Sequence, residues 1–372
     1  MAINCQQSIP LPSPRRRSSI QSSPIIYLIT LLKSHVEDIM TIEITSDADL
    51  PKCLNTPSKQ TTQARRLAHL HSGIAAKKAR GPRPQGFFSR TAIVTLQNGE
   101  DVVIQFRPEP LDLEPFQVAR RVLGAVVPDV EVIQNTELEC EGIWVYWMTC
   151  IPGKTWLDGA RGKVSQTRIT TVRSLGRILS RGYINDNSEL VVNHKLYPHL
   201  ELLLASEDTQ ISQFHGIARD LRGQLDQLKH LPLFIAHFDL NDVNIMVDSD
   251  CKVSGIVDWE LSTPLPFGMG FCRVHTLAGE FSEKKFHMPP EFEDAERGFW
   301  QEIWDEIPEN VRSQVNPEAV QIAVTLGTLL DAFQLDEGKI GPYNPVVVEA
   351  LPKFLTYRIP LIRGSGSPPY LE

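Results

Sequence analysis

Three polar side chains within eight positions, His237, Asp239 and Asn244, are followed by Asp258 at the end of a second apolar run. The stretch that carries them, Ile235 to Glu260, reads I-A-H-F-D-L-N-D-V-N-I-M-V-D-S-D-C-K-V-S-G-I-V-D-W-E. Phe234 to Ala236 predicts a strand entering a polar loop, and Ile245 to Val247 a strand leaving it. Asp248, Ser249 and Asp250 supply turn chemistry, and Val253 to Val257 returns apolar. Such a hairpin brings Asp258 back beside Asn244. Three oxygen-bearing side chains, Asp239, Asn244 and Asp258, then face one small volume. Oxygen ligands of this kind suit Mg²⁺, which keeps waters and shares substrate phosphates.

Phosphoryl transfer asks for that kind of set. It needs an oriented hydroxyl, metal ions bridging the nucleotide phosphates, and cations around the transferring group, with little covalent chemistry from the protein. In a tight loop, an asparagine five residues after an aspartate lets Asp239 reach the attacking hydroxyl while Asn244 holds a metal. Asp258, at the mouth of the next strand, can hold the metal that bridges phosphates. His237 fits a loop organiser, packing and hydrogen-bonding to backbone, better than a base. A polar turn with aspartates as caps would account for H-x-D alone. H-x-D-x-x-x-x-N followed by I-V-D-W-E is far more specific.

These residues need a scaffold ahead of them. Thr61 to Arg80 predicts a helix, apolar at Leu67, Leu70 and Ile74 and basic on a solvated face, ended by Gly81-Pro82-Arg83-Pro84. Gly86-Phe87-Phe88-Ser89-Arg90 reads as a turn, Thr91 to Leu96 as a strand and Asn98-Gly99 as a hairpin signal, with Asp101 to Arg107 returning. A glycine turn ahead of two strands can cover phosphates with backbone N–H groups. Arg107 ends an apolar strand, where a cation can point inward. Residues 112–127 predict a helix, and Val130 to Gln134 and Ile143 to Thr149 two strands, with Trp144, Tyr146 and Met148 alternating. Ile151-Pro152-Gly153-Lys154 breaks the run between a β-rich lobe, residues 40–150, and a helical one, residues 151–363. Ser165 to Gly182, capped by Ser165, and Ile211 to His230 predict helices of the second lobe. Residues 280–360 read as mostly helical.

Composition bounds the rest. A chain of 372 residues is long enough for roughly two lobes of about 150 residues. A net charge of −8 leaves no basic surplus for nucleic acid. The six cysteines contain no C-x-x-C pair, which argues against structural zinc and a disulfide framework. No apolar run reaches the ~18 residues that span a bilayer, and no N-x-S/T sequon occurs. A cytoplasmic monomer or weak dimer is expected. Residues 1–39 are serine- and proline-rich, with Arg15-Arg16-Arg17 and no acid before Glu37. They read as a disordered leader, or an extension ahead of Met40, in preference to an organelle-targeting segment. Residues 364–372 read as a flexible tail. Glu280 to Glu309 holds ten acidic residues against three basic ones. A solvated helical face is the plainer reading and a cradle for a cationic substrate the sharper one.

His237-Phe238-Asp239-Leu240-Asn241-Asp242-Val243-Asn244 and Ile256-Val257-Asp258-Trp259-Glu260 resemble the paired motifs of the aminoglycoside phosphotransferase and choline kinase family. Fungal-type members are most similar. They share the V-x-Q-F-R strand ending at Arg107, a P-G-K-T-W segment at Pro152 to Trp156, and P-F-G-M at Pro266 to Met269. The resemblance covers roughly residues 86 to 350. It implies an α+β, protein-kinase-like bilobal fold, with a β-rich ATP lobe, a hinge near Thr149 to Pro152 and a mainly helical lobe. It implies an ATP- and Mg²⁺-dependent kinase acting on a hydroxyl of a small molecule. Asp239 would orient or deprotonate the hydroxyl with His237 beside it, and Asn244 and Asp258 would bind Mg²⁺. Gly86, Phe87, Phe88 and Ser89 would cover the phosphates, Arg107 would take the place of the strand lysine, and Met148 and Cys150 would meet the nucleotide at the hinge. The acidic helical lobe favours an amine-bearing substrate.

Arginine at 107 keeps the charge of that lysine but not its shape or donor geometry. The helix glutamate that pairs with the lysine has only Glu114, ahead of Pro115, as its nearest candidate. These departures motivate the alternative, a non-catalytic, pseudokinase-like nucleotide-binding or regulatory protein. A protein kinase fits less well, because Phe238 stands where regulated protein kinases have arginine, and neither D-F-G nor A-P-E follows Asp258.

Overall fold

The computed structural model describes residues 42–83, 85–160, 166–185, 187–282, 285–336, 339–342, 345–364 and 366–370. The expected leader and the Ser165 cap lie outside them. Helix α1 (Pro57–Ser72) starts on the Thr56 side chain, which accepts from the Lys59 N–H, and stops at Gly73, left-handed at φ 72°. The helix expected to run on to Arg80 therefore ends well short of it. Lys77, Lys78 and Arg80 belong instead to strand β1 (Ala76–Arg80). Glycine at that position ends a helix because it takes the left-handed cap without a Cβ penalty.

Strands β2 (Arg90–Leu96) and β3 (Asp101–Arg107) form the expected hairpin, alternately buried and half-exposed along β2. Helix α2 (Glu114–Leu123) follows, then β4 (Val130–Ile133) and β5 (Trp144–Thr149). The five strands make one antiparallel sheet in the order β1-β2-β3-β5-β4. One face packs on α1 through Ala64, Leu67, Val94, Ile104 and Phe106, a core separate from that of the rest of the chain. Tyr146 and Met148, on the same sheet, join the larger core together with α2.

The second lobe is organised by two small sheets. Strands β6 (Lys154–Thr155), β9 (Ile245–Val247) and β10 (Val253–Ile256) form one, and β7 (Tyr183–Asn185), β8 (Leu233–Ala236) and β11 (Thr263–Pro266) the other. The hinge is thereby stitched to the hairpin that carries Asn244. Gly153, at φ 112°, lies so close to that hairpin that any side chain would overlap the Val247 carbonyl oxygen. Around the sheets pack helices α3 (Gln166–Leu179), α4 (Tyr197–Ala205), α5 (His215–Arg222), α6 (Val274–Ala278), α7 (Phe292–Glu306), α8 (Pro317–Ala332) and α9 (Pro345–Phe354).

The helix expected over Ile211 to His230 is broken. It is a turn at Thr209–Ser212, then α5, then a 3-10 turn at Leu225–Leu228. Leu225, Leu228 and Leu231 are all buried, and a three-residue repeat is the period of a 3-10 helix. The region expected to be mostly helical also holds two hairpins, Glu280–Ser282 with Lys285–His287 and Phe333–Asp336 with Lys339–Pro342. Nor is the acidic stretch simply a solvated face. Glu302 is buried and paired with Arg173 and Arg177, and Glu296 is fully buried against Arg363 and Tyr357. The segment expected to be a flexible tail brings Tyr370 into the core, where it bridges Tyr357.

Helices α3 and α7 meet through Gly176, where an added Cβ would stand 2.6 Å from the Phe299 carbonyl oxygen. Backbone cannot move aside as a flexible side-chain end can. Gly176→Ala should therefore destabilise by about 1–3 kcal/mol, the usual range for overpacking. Thermal and urea unfolding measure it, and an unchanged midpoint would contradict this packing.

Candidate active site

Strand β8 runs straight into the loop that holds His237 and Asp239. His237 is 4% exposed. Its Nε2–H donates to the Val257 carbonyl at 2.9 Å, and its ring meets Trp259 edge-on at 4.8 Å. Burial pushes the imidazole down in pKa, which suits a neutral ring that fixes backbone. The Val257 N–H donates in turn to the Asn244 carbonyl at 2.9 Å. The two backbone groups of Val257 thus tie together the loop and the hairpin just before Asp258.

Asp239 and Asn244 meet as the spacing predicts. Asn244 Nδ2 donates to the Asp239 backbone oxygen at 2.8 Å and to Asp239 Oδ2 at 3.0 Å. Asn241 Nδ2 donates to Asp239 Oδ1 at 2.9 Å. With its amide so used, Asn244 is left with Oδ1, which has no hydrogen bond among the described residues. Asp258 adopts φ 65°, a left-handed conformation rare outside glycine and concentrated at functional sites. Its carboxylate is open to solvent yet surrounded by protein, the situation of a group on a cleft floor. Burial pushes its pKa up against the pull of His237, and repulsion from Asp239 adds to the rise.

These two side chains fit a hard divalent cation. Asp258 accepts no hydrogen bond among the described residues, and the free Asn244 oxygen is a neutral hard donor. No group of three or more His, Cys, Asp or Glu side chains forms a metal cage among the described residues. A cation here would share its shell with water and phosphate, as Mg²⁺ does.

The nucleotide side departs from expectation. Arg107 is 4% exposed, and its Nη2 donates to both Glu260 oxygens, at 2.8 and 2.7 Å. Glu260, two residues past Asp258, occupies the cation that the resemblance assigns to phosphate. Glu114 does not supply that partner. It opens α2, its carboxyl pushed up in pKa by burial and by Asp112. Arg90 pairs with Phe106 across the sheet, so residues 86–89 hang over the same end of the sheet as Arg107. Phe87 and Phe88 are exposed there, and buried Ser89 accepts from Gln105 Nε2 at 3.1 Å. Met148 pairs with Val103 and Val130 in the sheet, and Thr149 with Val102. The hinge therefore meets the far end of β3 from Arg107, and half-buried Cys150 lies there near Asp101 and Arg80.

Beside the loop opens a cavity of about 750 Å³ lined by Leu240, Asn241, Asp242, Arg273, His275 and Asp331, among others. Sequence reasoning missed Arg273. Its Nε and Nη2 donate to Asp331 Oδ1 at 3.1 and 2.8 Å, and its Nη1 stands 3.9 Å from Asp239 Oδ1. Arg168 crosses the cavity wall to the carbonyls of Ala278 and Gly279 and to Glu280 and Glu291. Asp242 has no side-chain partner among the described residues, and burial raises its pKa.

The five-stranded lobe, the helical lobe and the loop between them define the class, an α+β fold of the protein-kinase type. The chain belongs to the phosphotransferase enzyme family, whose model matches residues 81–269, just over half of its length. No curated protein matches it. Among solved structures it is similar to a macrolide 2'-phosphotransferase from Brachybacterium faecium, at 16% identity and TM-score 0.44, covering 74% of this chain and 92% of that one. It is also similar to a Plasmodium vivax ethanolamine kinase, at 11% identity and TM-score 0.48, covering 84% and 88%. A third is the aminoglycoside phosphotransferase APH(4)-Ia in complex with AMP-PNP and hygromycin B, at 12% identity and TM-score 0.47, covering 72% and 89%. Among the described residues no helix is long and apolar enough to cross a membrane.

Two outcomes follow from this geometry. Removing Glu260 leaves the Arg107 cation buried and unmatched. Glu260→Leu should cost about 3 kcal/mol, the low end for breaking a buried pair because Glu260 keeps some solvent. Arg107→Met in the same chain should recover most of that loss in a double-mutant cycle, and losses that simply add would show that no pair exists. Separately, burial, with the Arg273 charge acting the same way, pushes the His275 imidazole down to about 3 from 6.5. The unfolded chain then binds the extra proton between those values, so this contribution to stability is lost as pH falls through that window. His275→Phe should flatten the pH dependence of the melting temperature between pH 6 and 4, and an unchanged slope would contradict a neutral His275.

Proposed function

We propose that the chain is an ATP- and Mg²⁺-dependent phosphotransferase that moves the γ-phosphoryl group of ATP to a hydroxyl of a small molecule. The convergence of Asp239, Asn244 and Asp258 carries this reading. Asp239 orients the acceptor hydroxyl and receives its proton. Its two oxygens are steered by Asn241 and Asn244, so the carboxylate cannot swing away. Asn244 Oδ1 and the Asp258 carboxylate would hold Mg²⁺, which when bound offsets the charge of the phosphates. The nucleotide would lie along β3 from the hinge at Met148 and Cys150 toward Arg107, under residues 86–89. The cavity beside Asp242 would take the acceptor, with that carboxylate available to an amine.

General-base assistance is worth roughly 10²–10⁴-fold. Asp239→Asn should lower ATP-dependent phosphorylation by at least about 100-fold on that basis, with melting temperature nearly unchanged. Screening ATP consumption against amino-alcohols, aminoglycosides, sugars and amino acids finds the acceptor, and full activity in the Asp239→Asn variant would remove Asp239 from the role of base.

The Arg107–Glu260 pair favours a second reading, a non-catalytic nucleotide-binding protein, because it neutralises the nucleotide-side cation. Thermal-shift titration with ATP separates the two. Binding that requires Mg²⁺ supports the enzyme, and metal-independent or absent binding supports the pseudoenzyme.

A further inference from the structure

Phosphoryl transfer needs positive charge at the transferring group, and Arg107 already gives its Nη2 to Glu260. Among the described residues, no lysine or arginine other than Arg273 reaches the Asp239 carboxylate. Its placement is rigid. The turn at Met269–Phe271 lies flush against β8, because a Cβ on Gly270 would stand 2.5 Å from that of Ala236. From the other side α8 presses on the same turn, where Gly327 leaves no room for a side chain beside the Met269 carbonyl. The strand that ends in the catalytic loop and the turn that ends in Arg273 are thus one packed unit.

Asp331, on α8, takes Nε and Nη2 of Arg273 through a single oxygen. That leaves Nη1, which has no acceptor among the described residues. It stands 3.9 Å from Asp239 Oδ1, beyond a hydrogen bond but within reach of an atom that touches both. Both Arg273 and Asp331 line the cavity next to the loop. The pair that joins the start of α6 to α8 thus leaves a guanidinium nitrogen beside the Asp239 carboxylate.

We propose that Arg273 is a catalytic residue: its Nη1 donates to an oxygen of the γ-phosphoryl group as that group passes to the hydroxyl held by Asp239. The acceptor oxygen forms its bond to the γ-phosphorus while the bond from that phosphorus to the β,γ-bridging oxygen breaks. The bond pair leaves with ADP, and the hydroxyl proton goes to Asp239 and then to solvent. Arg273 neither gains nor loses a proton. It matches the charge on the transferring oxygens, and Asp331 sets its direction. This rests on the phosphotransferase reading above.

The test uses the full chain with MgATP and water as the acceptor, following ADP and phosphate release. Arg273→Gln should lower kcat about 100-fold, as loss of one aimed donor does elsewhere, with KM for ATP within about threefold because the donor acts on transfer more than on binding. Arg273→Lys, which keeps the charge for Asp331, should fold normally and still lose about tenfold, because one ammonium cannot reproduce the planar fork. In Arg273→Ala, millimolar guanidinium should restore part of the lost turnover, an effect that repair of a merely structural ion pair would not give. Wild-type turnover that Asp239→Asn abolishes supports the underlying reading and leaves the Arg273 variants to decide this one. If Arg273→Gln or Arg273→Lys retains kcat within about twofold, Arg273 has no part in transfer although the kinase reading stands. If the wild-type chain turns over no ATP, both fall together.

Discussion

The backbone of Val257 is the constraint on which the site depends. Its N–H is bonded to the Asn244 carbonyl, and its C=O receives the His237 imidazole. The first bond closes the β9–β10 hairpin and the second pins the loop that precedes it. Together they leave Asp258 little freedom, which accounts for a non-glycine residue held at φ 65°. Such strain persists only where surrounding structure over-determines it. Here Trp259, fully buried with its indole N–H on the Ile256 carbonyl, supplies that surrounding. Asp239 and Asp258 stand in one cleft because the backbone of one residue holds both of their neighbourhoods.

Charge is arranged around this unit in two pairs, each joining distant parts of the chain. Arg107–Glu260 connects the end of the large sheet to the segment just after Asp258. Arg273–Asp331 connects the turn behind β8 to α8. Arg107 commits only Nη2, its buried Nε having no partner among the described residues, and Arg273 keeps Nη1 beside Asp239. Arg273 lines the cavity beside the loop, whereas Arg107 is buried at the end of the large sheet.

Much of this was legible in the sequence where the signal is local. The strands around Asn98-Gly99 and Ile245 to Ile256 announce themselves by apolar runs and turn residues, and the H-x-D-x-x-x-x-N spacing places Asn244 on Asp239. The misreadings also have local causes. Leu67, Leu70 and Ile74 suggest a helix through Gly73, but that glycine takes the left-handed cap and the basic residues beyond it form a strand. Ile211 to His230 looks like one amphipathic helix, yet its leucines are spaced for a 3-10 turn. What could not be read at all are pairings across long stretches. Glu260 lies 153 residues from Arg107, and Asp331 58 from Arg273. No periodicity links such positions, and arginine at the end of a strand carries no mark of the carboxylate it will meet.

The central claim is that Asn244 and Asp258 hold a metal with the nucleotide over Asp239. Electron paramagnetic resonance of Mn²⁺ in place of Mg²⁺, titrated with ATP, tests it most directly. The account predicts that the wild-type protein takes up Mn²⁺–ATP with loss of the free-ion signal, and that Asp258→Asn and Asn244→Ala each weaken this uptake at least about tenfold, as loss of a protein ligand does. Uptake of the same strength in both variants would contradict it.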